Sequence, residues 1–112
     1  MTAEQKNAKK AEKRSIYDEI LRNVDENEKA LVDSLVDEVV FYEVEMGALR
    51  ELPFIAVHPK NPALQKTTPA SRLYKQYATS YMNAIRILLN VLRKVDSDAQ
   101  DDLLRRLEEF TG

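Results

Sequence analysis

Two long segments of the chain carry apolar residues at heptad spacing, and a proline-containing connector separates them. The first segment has two such rows: Val32, Val39 and Met46, with Leu35, Tyr42 and Leu49. The second has Tyr74, Tyr81, Leu88 and Val95, with Tyr77, Ala84 and Val91. Heptad rows are typical of helices that pack against each other. The pattern predicts a long antiparallel helical hairpin, and the presence of only two glycines favours an all-α fold.

Prolines and helix-capping residues predict where the helices begin and end. Thr68 followed by Pro69 is typical of an N-cap and a first helical position. We expect helices over residues 15–23, 26–51, 69–95 and 98–110, so that short N- and C-terminal helices flank the hairpin. The predicted domains are a flexible basic arm (1–14), a hairpin and oligomerisation domain (15–95) and an acidic C-terminal helix (96–112) that could bind a partner.

Charge alternates in blocks along the chain. Residues 1–24 carry six bases and four acids, and residues 25–51 carry two bases and nine acids. Residues 52–95 carry seven bases and no acid, and residues 96–112 carry two bases and six acids. Blocks of opposite sign indicate segments that lie against one another, within one chain or between copies.

The third predicted helix is apolar well beyond its heptad rows, which suggests an oligomer. A helix that is apolar on most sides has to be buried by more than one neighbour. We therefore predict a homo-oligomer whose interface uses the residues that widen the stripe: Leu73, Ile85, Ile87, Leu89 and Leu92. Alternatively, the short flanking helices of the same chain cover this excess.

Two groups of cations are candidates for binding phosphates. One is a row on the polar face of the third predicted helix: Arg72, Arg86 and Arg93, with Lys75 nearby. The other is the basic arm: Lys6, Lys9, Lys10, Lys13 and Arg14. Both could be solvated faces. The arginine row could instead meet an acidic helix of another protomer or the phosphates of nucleic acid.

The sequence offers no constellation for catalysis, so we predict a non-enzyme without a cofactor or a metal. The only histidine, His58, lies in a connector without an acid to orient it. There is no glycine-rich phosphate loop and no metal-ligand spacing. The prolines Pro53, Pro59 and Pro62 predict a rigid, extended connector, which could pack on another subunit.

Location is predicted from what the sequence lacks. Without cysteine the chain fits a reducing cytoplasm. The segment "MTAEQKNAKKAEKRS" has no apolar core of a secretion signal, and no stretch approaches eighteen apolar residues. We therefore expect a cytoplasmic protein that does not enter a membrane.

The chain resembles the small subunit of phage terminases, in particular the P27-like family of phages and prophages of Gram-positive bacteria. The resemblance covers residues 15–95 and lies in three segments: "ALVDSLVDEVVFYEVEMGALREL", "HPKNPALQ" and "TPASRLYKQYATSYMNAIRILLNVLRK". It implies a non-catalytic subunit that forms ring-like oligomers, recognises double-stranded viral DNA and brings it to the large subunit. The large subunit carries the ATPase and nuclease, and the work takes place in the bacterial host cell.

One feature departs from that family. Many small terminase subunits begin with a helix-turn-helix, and the short basic start of this chain leaves little room for one. If DNA is bound, the arm cations and the arginine row are the groups available for it. The alternatives are a helical protein-interaction adaptor and a small regulator, both without DNA binding.

Overall fold

The described residues form four helices and one small antiparallel sheet. Their order is α1 (Ala3–Ile20), α2 (Glu26–Leu49), β1 (Ile55–His58), β2 (Asn61–Thr67), α3 (Pro69–Val95) and α4 (Ser97–Thr111). The computed structural model describes residues 1–111 and the side chains of residues 1–109. The remaining residue of the predicted C-terminal segment, Gly112, lies outside this range. The molecule measures 60 × 28 × 22 Å. A mostly helical fold is confirmed, whereas the sheet was not predicted.

The predicted antiparallel hairpin is formed by α2 and α3. Its heptad residues supply much of one apolar cluster: Val32, Val39, Met46, Tyr81, Ala84 and Leu88. In α2, Val36 and Val40 are buried as well, because α1 packs along a second side of this helix. The hairpin therefore forms the centre of the molecule, and α1 and α4 cover it.

Residues 3–14 are helical, which corrects the expectation of a flexible arm. Thr2 caps α1: its hydroxyl accepts a hydrogen bond from the Gln5 backbone N–H at 3.1 Å, and the Gln5 side chain accepts one from the Thr2 N–H at 2.9 Å. The segment has no large apolar residue after Met1 until Ile16, so the periodicity of its sequence gives no signal. Contacts of its charged side chains with α2, described below, hold it in place.

The connector forms a β-hairpin rather than an irregular extended arm. Ile55 pairs with Thr67 and Val57 with Gln65, and the register shifts next to His58. Prolines fit here because every strand of a two-stranded sheet is an edge strand, where a missing N–H is tolerated. At the base, the Thr68 N–H donates to the Phe54 carbonyl at 3.1 Å. Thr68 is also the N-cap of α3, as predicted.

The last helix covers part of the wide apolar surface of α3. It runs back along α3, where Gln100 donates through Nε2 to the Leu89 carbonyl at 3.2 Å, and it buries Ala99 and Leu103. Ile85 and Leu92 belong to this intramolecular core, so their assignment to an oligomer interface is corrected.

The other predicted interface residues have different environments. Leu89 is partly buried against the core, whereas Leu73 and Ile87 are exposed. These last two remain available for a contact with another molecule.

Candidate functional site

Three of the five arm cations bind carboxylates of α2. Lys6 Nζ lies 3.0 Å from Glu45 Oε2, and Lys13 Nζ lies 3.2 Å from Glu43 Oε1. The Arg14 guanidinium contacts three acids, which are Asp18, Asp33 and Asp37. Ion pairs therefore join the first, basic charge block of the sequence to the second, acidic block within one chain and offset part of its charge.

The guanidinium of Arg14 is stabilised in its charged form. Partial burial opposes that form, but the three carboxylates together outweigh it and raise the pKa of Arg14. Lys10 has a different partner: its Nζ lies 5.2 Å from the centroid of the Phe41 ring. Lys9 is exposed. For Lys6, Lys13 or Arg14 to bind a phosphate, its ion pair with α2 would have to break.

The predicted cation row on α3 lies on the surface. Arg72, Lys75, Arg86 and Arg93 are all exposed, and α3 contains no acidic residue. Within residues 1–109, no ion pair involves any of these four side chains, although Arg72 does donate to Thr67 at the base of the β-hairpin. Arg72 and Arg93 are 21 positions apart, so they span about 31 Å at the rise of an α-helix. This length is close to one turn of B-form DNA, about 34 Å.

Polar uncharged residues complete this surface. Thr79, Asn83 and Asn90 are exposed between the cations. Hydroxyl and amide side chains commonly donate to phosphate and sugar oxygens in protein–DNA complexes. We call the surface formed by these seven residues the α3 cationic face. This face is long, exposed to solvent and without acidic residues, so it is suited to binding an extended polyanion.

A buried carboxylate that the sequence analysis missed connects all four helices. Glu43 of α2 accepts hydrogen bonds from the hydroxyl groups of Tyr17 in α1 and Tyr81 in α3, the latter at 3.1 Å. Arg106 of α4 lies 2.9 Å from the same carboxyl group, and Lys13 is the second cation. Glu43 is 2% exposed. We call these five residues the Glu43 cluster.

The sequence did carry a signal for this cluster. Glu43 continues the apolar row of Val36, Val39 and Val40 and precedes Met46, so it stands on the buried side of α2. A charged residue on such a row is rarely buried unless it is paired. Its partners come from three distant helices, however, and spacing along the chain could not identify them.

The two tyrosines of the cluster stay protonated. Burial first, and then the adjacent Glu43 carboxylate, raise the pKa of Tyr17, and the same causes in the same order raise the pKa of Tyr81. Their hydroxyl groups are therefore donors at neutral pH and hold the carboxylate. The carboxylate is held by two hydroxyl groups and two cations, and among the described side chains Arg106 Nε is the buried polar atom without a hydrogen-bond partner, so we interpret the cluster as structural.

These shifts predict that alkaline pH destabilises the fold. Above about pH 10 the two tyrosines ionise in the unfolded chain but remain protonated in the folded one, so the unfolded state binds fewer protons and stability falls. Each tyrosine contributes up to about 1.4 kcal/mol per pH unit. The double variant Tyr17→Phe/Tyr81→Phe should lose less stability than the wild type between about pH 9 and 11. Urea unfolding across this range measures both slopes, and equal slopes would contradict the prediction.

His58 has a structural contact and no catalytic partner among the described side chains. It lies in the exposed β-hairpin, and its Nδ1 accepts a hydrogen bond from the Lys60 N–H at 3.1 Å. Over the same residues, no group of three or more His, Asp or Glu side chains is placed to hold a metal ion. His58→Ala should change the free energy of unfolding by no more than about 0.5 kcal/mol, as measured by chemical denaturation. A larger loss would show a role beyond this turn.

None of the helices in the described part of the chain is both long and apolar enough to cross a membrane. Comparisons of the chain with family models, with curated proteins and with solved structures found no match.

Proposed function

We propose that the chain is a non-catalytic, oligomeric DNA-binding subunit of the kind found in phage terminases. In this role it binds double-stranded viral DNA in the bacterial cytoplasm and presents it to the large ATPase and nuclease subunit. The resemblance of residues 15–95 to P27-like small subunits supports the terminase context. The observation that carries the DNA-binding part is the α3 cationic face.

The structure favours this face over the basic arm as the surface for phosphates. Cations that already pair with carboxylates contribute less free energy to phosphate binding, because one ion pair is exchanged for another. The α3 cations have no such competitor among the described acids. A surface of this kind binds the DNA backbone with little dependence on base sequence. We therefore expect binding that depends steeply on salt concentration.

The test removes charge from the face while the fold is kept. The variant Arg72→Gln/Arg86→Gln/Arg93→Gln should bind a labelled duplex more weakly than the wild type. The slope of log affinity against log salt should fall by roughly 0.9 for each lost phosphate contact. Fluorescence anisotropy in a salt series measures both quantities.

A matched control loses the same number of charges elsewhere. In Arg22→Gln/Lys29→Gln/Arg105→Gln, all three positions are exposed and lie outside α3. This variant should keep the salt slope of the wild type. If both triple variants lose the same slope, the binding is a general charge effect. If the wild type fails to bind duplex at low salt, the adaptor role without DNA binding takes the place of this proposal.

The terminase context has its own experiment. A purified large subunit from the same genome should show an ATPase activity on linear DNA that rises when this chain is added. The triple variant of the α3 cationic face should raise it less than the wild type does. An ATPase activity that does not respond to the wild-type chain would contradict the terminase role but not the DNA binding.

A further inference from the structure

The connector and the turn from α3 to α4 carry opposite charge and lie at opposite ends of the molecule. The β-hairpin lies at the end where α2 leads into α3, and the connector over residues 52–68 carries Lys60, Lys66 and His58 but no acid. The turn from α3 to α4 lies at the other end, where residues 95–104 contain four acids, of which Asp102 pairs with Arg105. The molecule is 60 Å long, so these two regions cannot neutralise each other within one chain.

The β-hairpin is an exposed apolar surface. Every residue of β1 and β2 is exposed, and Ile55, Val57 and Leu64 are 55%, 52% and 56% exposed. The pairing places Ile55 and Val57 on one side of the sheet and Leu64 on the other. An isolated two-stranded hairpin is only marginally stable in water. Leu64 lies on the same side of the sheet as Lys66, so an exposed aliphatic side chain stands beside a cation there.

The outer side of α4 has the complementary composition. Leu104 is 43% exposed, Asp101 is exposed one turn before it and Asp98 about one turn further back, and the neighbouring exposed Arg105 pairs with Asp102. No ion pair to either acid is found within residues 1–109, whereas Ala99 and Leu103 of this helix are buried in the core. An exposed leucine with two acids nearby that have no ion pair is complementary to an exposed leucine with a lysine beside it.

We propose that the β-hairpin of one molecule docks head to tail on the outer side of α4 of a second copy. Lys60 and Lys66 approach Asp98 and Asp101, and Leu64, which lies on the same side of the sheet as Lys66, covers Leu104. The inference rests on the oligomeric part of the proposed function and names its surface. Such a contact joins two different surfaces, so a pair of molecules keeps one free hairpin and one free α4, and further copies can be added.

The charges decide between a second copy and DNA as the partner of the hairpin. The largest exposed apolar side chains of β1 and β2 are aliphatic, and the hairpin has two lysines, Lys60 in the turn and Lys66 near the base. The α3 cationic face, in contrast, presents three arginines and a lysine. Phosphates are therefore expected on α3, and a protein surface with acids and an apolar centre on the hairpin.

The test reverses the charges on each side of the contact. Light scattering should show the wild type as an oligomer at micromolar concentration. The variants Lys60→Glu/Lys66→Glu and Asp98→Lys/Asp101→Lys should each associate at least about tenfold more weakly, because like charges then meet across the contact. Circular dichroism should show unchanged helix content in both variants.

Mixing the two variants gives the decisive result. In the mixture each reversed hairpin meets a reversed α4, and each wild-type hairpin meets a wild-type α4, so association should return. Restored association also requires that both variants fold. A control with the same change in net charge as the reversed hairpin, Lys9→Glu/Lys29→Glu, should associate like the wild type.

Three outcomes would overturn the inference. A wild type that is monomeric at about 100 µM removes the oligomer from the proposed function as well, while DNA binding by α3 stands. An oligomer that tolerates the reversed hairpin has its interface elsewhere. A reversed hairpin that weakens duplex binding without changing the oligomer assigns the hairpin to DNA.

Discussion

Replacing Glu43 by alanine should destabilise the fold by about 3–5 kcal/mol, the cost typical of removing one partner from a buried ion pair. The substitution leaves the hydroxyl groups of Tyr17 and Tyr81 without their acceptor and Arg106 without its carboxylate. A domain of this size has a total stability of about 5–15 kcal/mol, so the variant approaches unfolding. Thermal and urea unfolding followed by circular dichroism measure the loss.

A matched control separates this effect from the loss of a glutamate in α2. Glu38 lies on the same helix and is exposed. Glu38→Ala should change the free energy of unfolding by no more than about 0.5 kcal/mol. Equal losses for Glu38→Ala and Glu43→Ala would contradict the role of the Glu43 cluster.

A compensated variant tests the cause of the loss. In Glu43→Leu/Tyr17→Phe/Tyr81→Phe, the buried hydroxyl groups leave together with their acceptor. Lys13 and Arg106 are partly exposed, so they can turn toward water. Apolar replacement of a buried polar group as a whole is often close to neutral. The triple variant should therefore be more stable than Glu43→Ala. The effects of the substitutions on the free energy of unfolding would then be strongly non-additive, as expected for residues of one network.

The fold was predictable where the pattern is local and periodic. The heptad rows of α2 and α3 correctly predicted the hairpin, because residues seven apart on a helix share one face. The bounds of α3 were predicted at Pro69 and Val95, since Thr68 and Pro69 form a strong start signal. These features depend only on neighbours along the chain.

The features that were missed depend on contacts between distant residues. Residues 3–14 have almost no apolar pattern, and the partners of Lys6 and Arg14 lie on another helix. The prolines of the connector are as compatible with a two-stranded sheet as with an irregular arm, and the pairing of Ile55 with Thr67 decided between them. The apolar stripe on α3 is wide, but the sequence could not tell which of its residues α4 of the same chain covers.

Ile85 and Ile87, which lie within one turn of α3, allow a test of which part of the apolar stripe packs inside the chain. Ile85 is 2% exposed and Ile87 is 50% exposed. If the stripe at Ile85 faced a second molecule, Ile85→Asp would give a folded monomer. In the structure Ile85 packs against the core of its own chain, so an unpaired carboxylate there should cost more than about 4 kcal/mol and unfold the protomer.

Ile87→Asp is the matched variant, because it makes the same chemical change in the same helix. It should alter the free energy of unfolding by no more than about 0.5 kcal/mol, since the new carboxylate stays in water. Circular dichroism reports the fold of each variant, and light scattering reports its mass. A folded, monomeric Ile85→Asp would place that residue at an interface between copies. A folded Ile87→Asp of lower mass than the wild type would instead place the contact on the exposed side of α3.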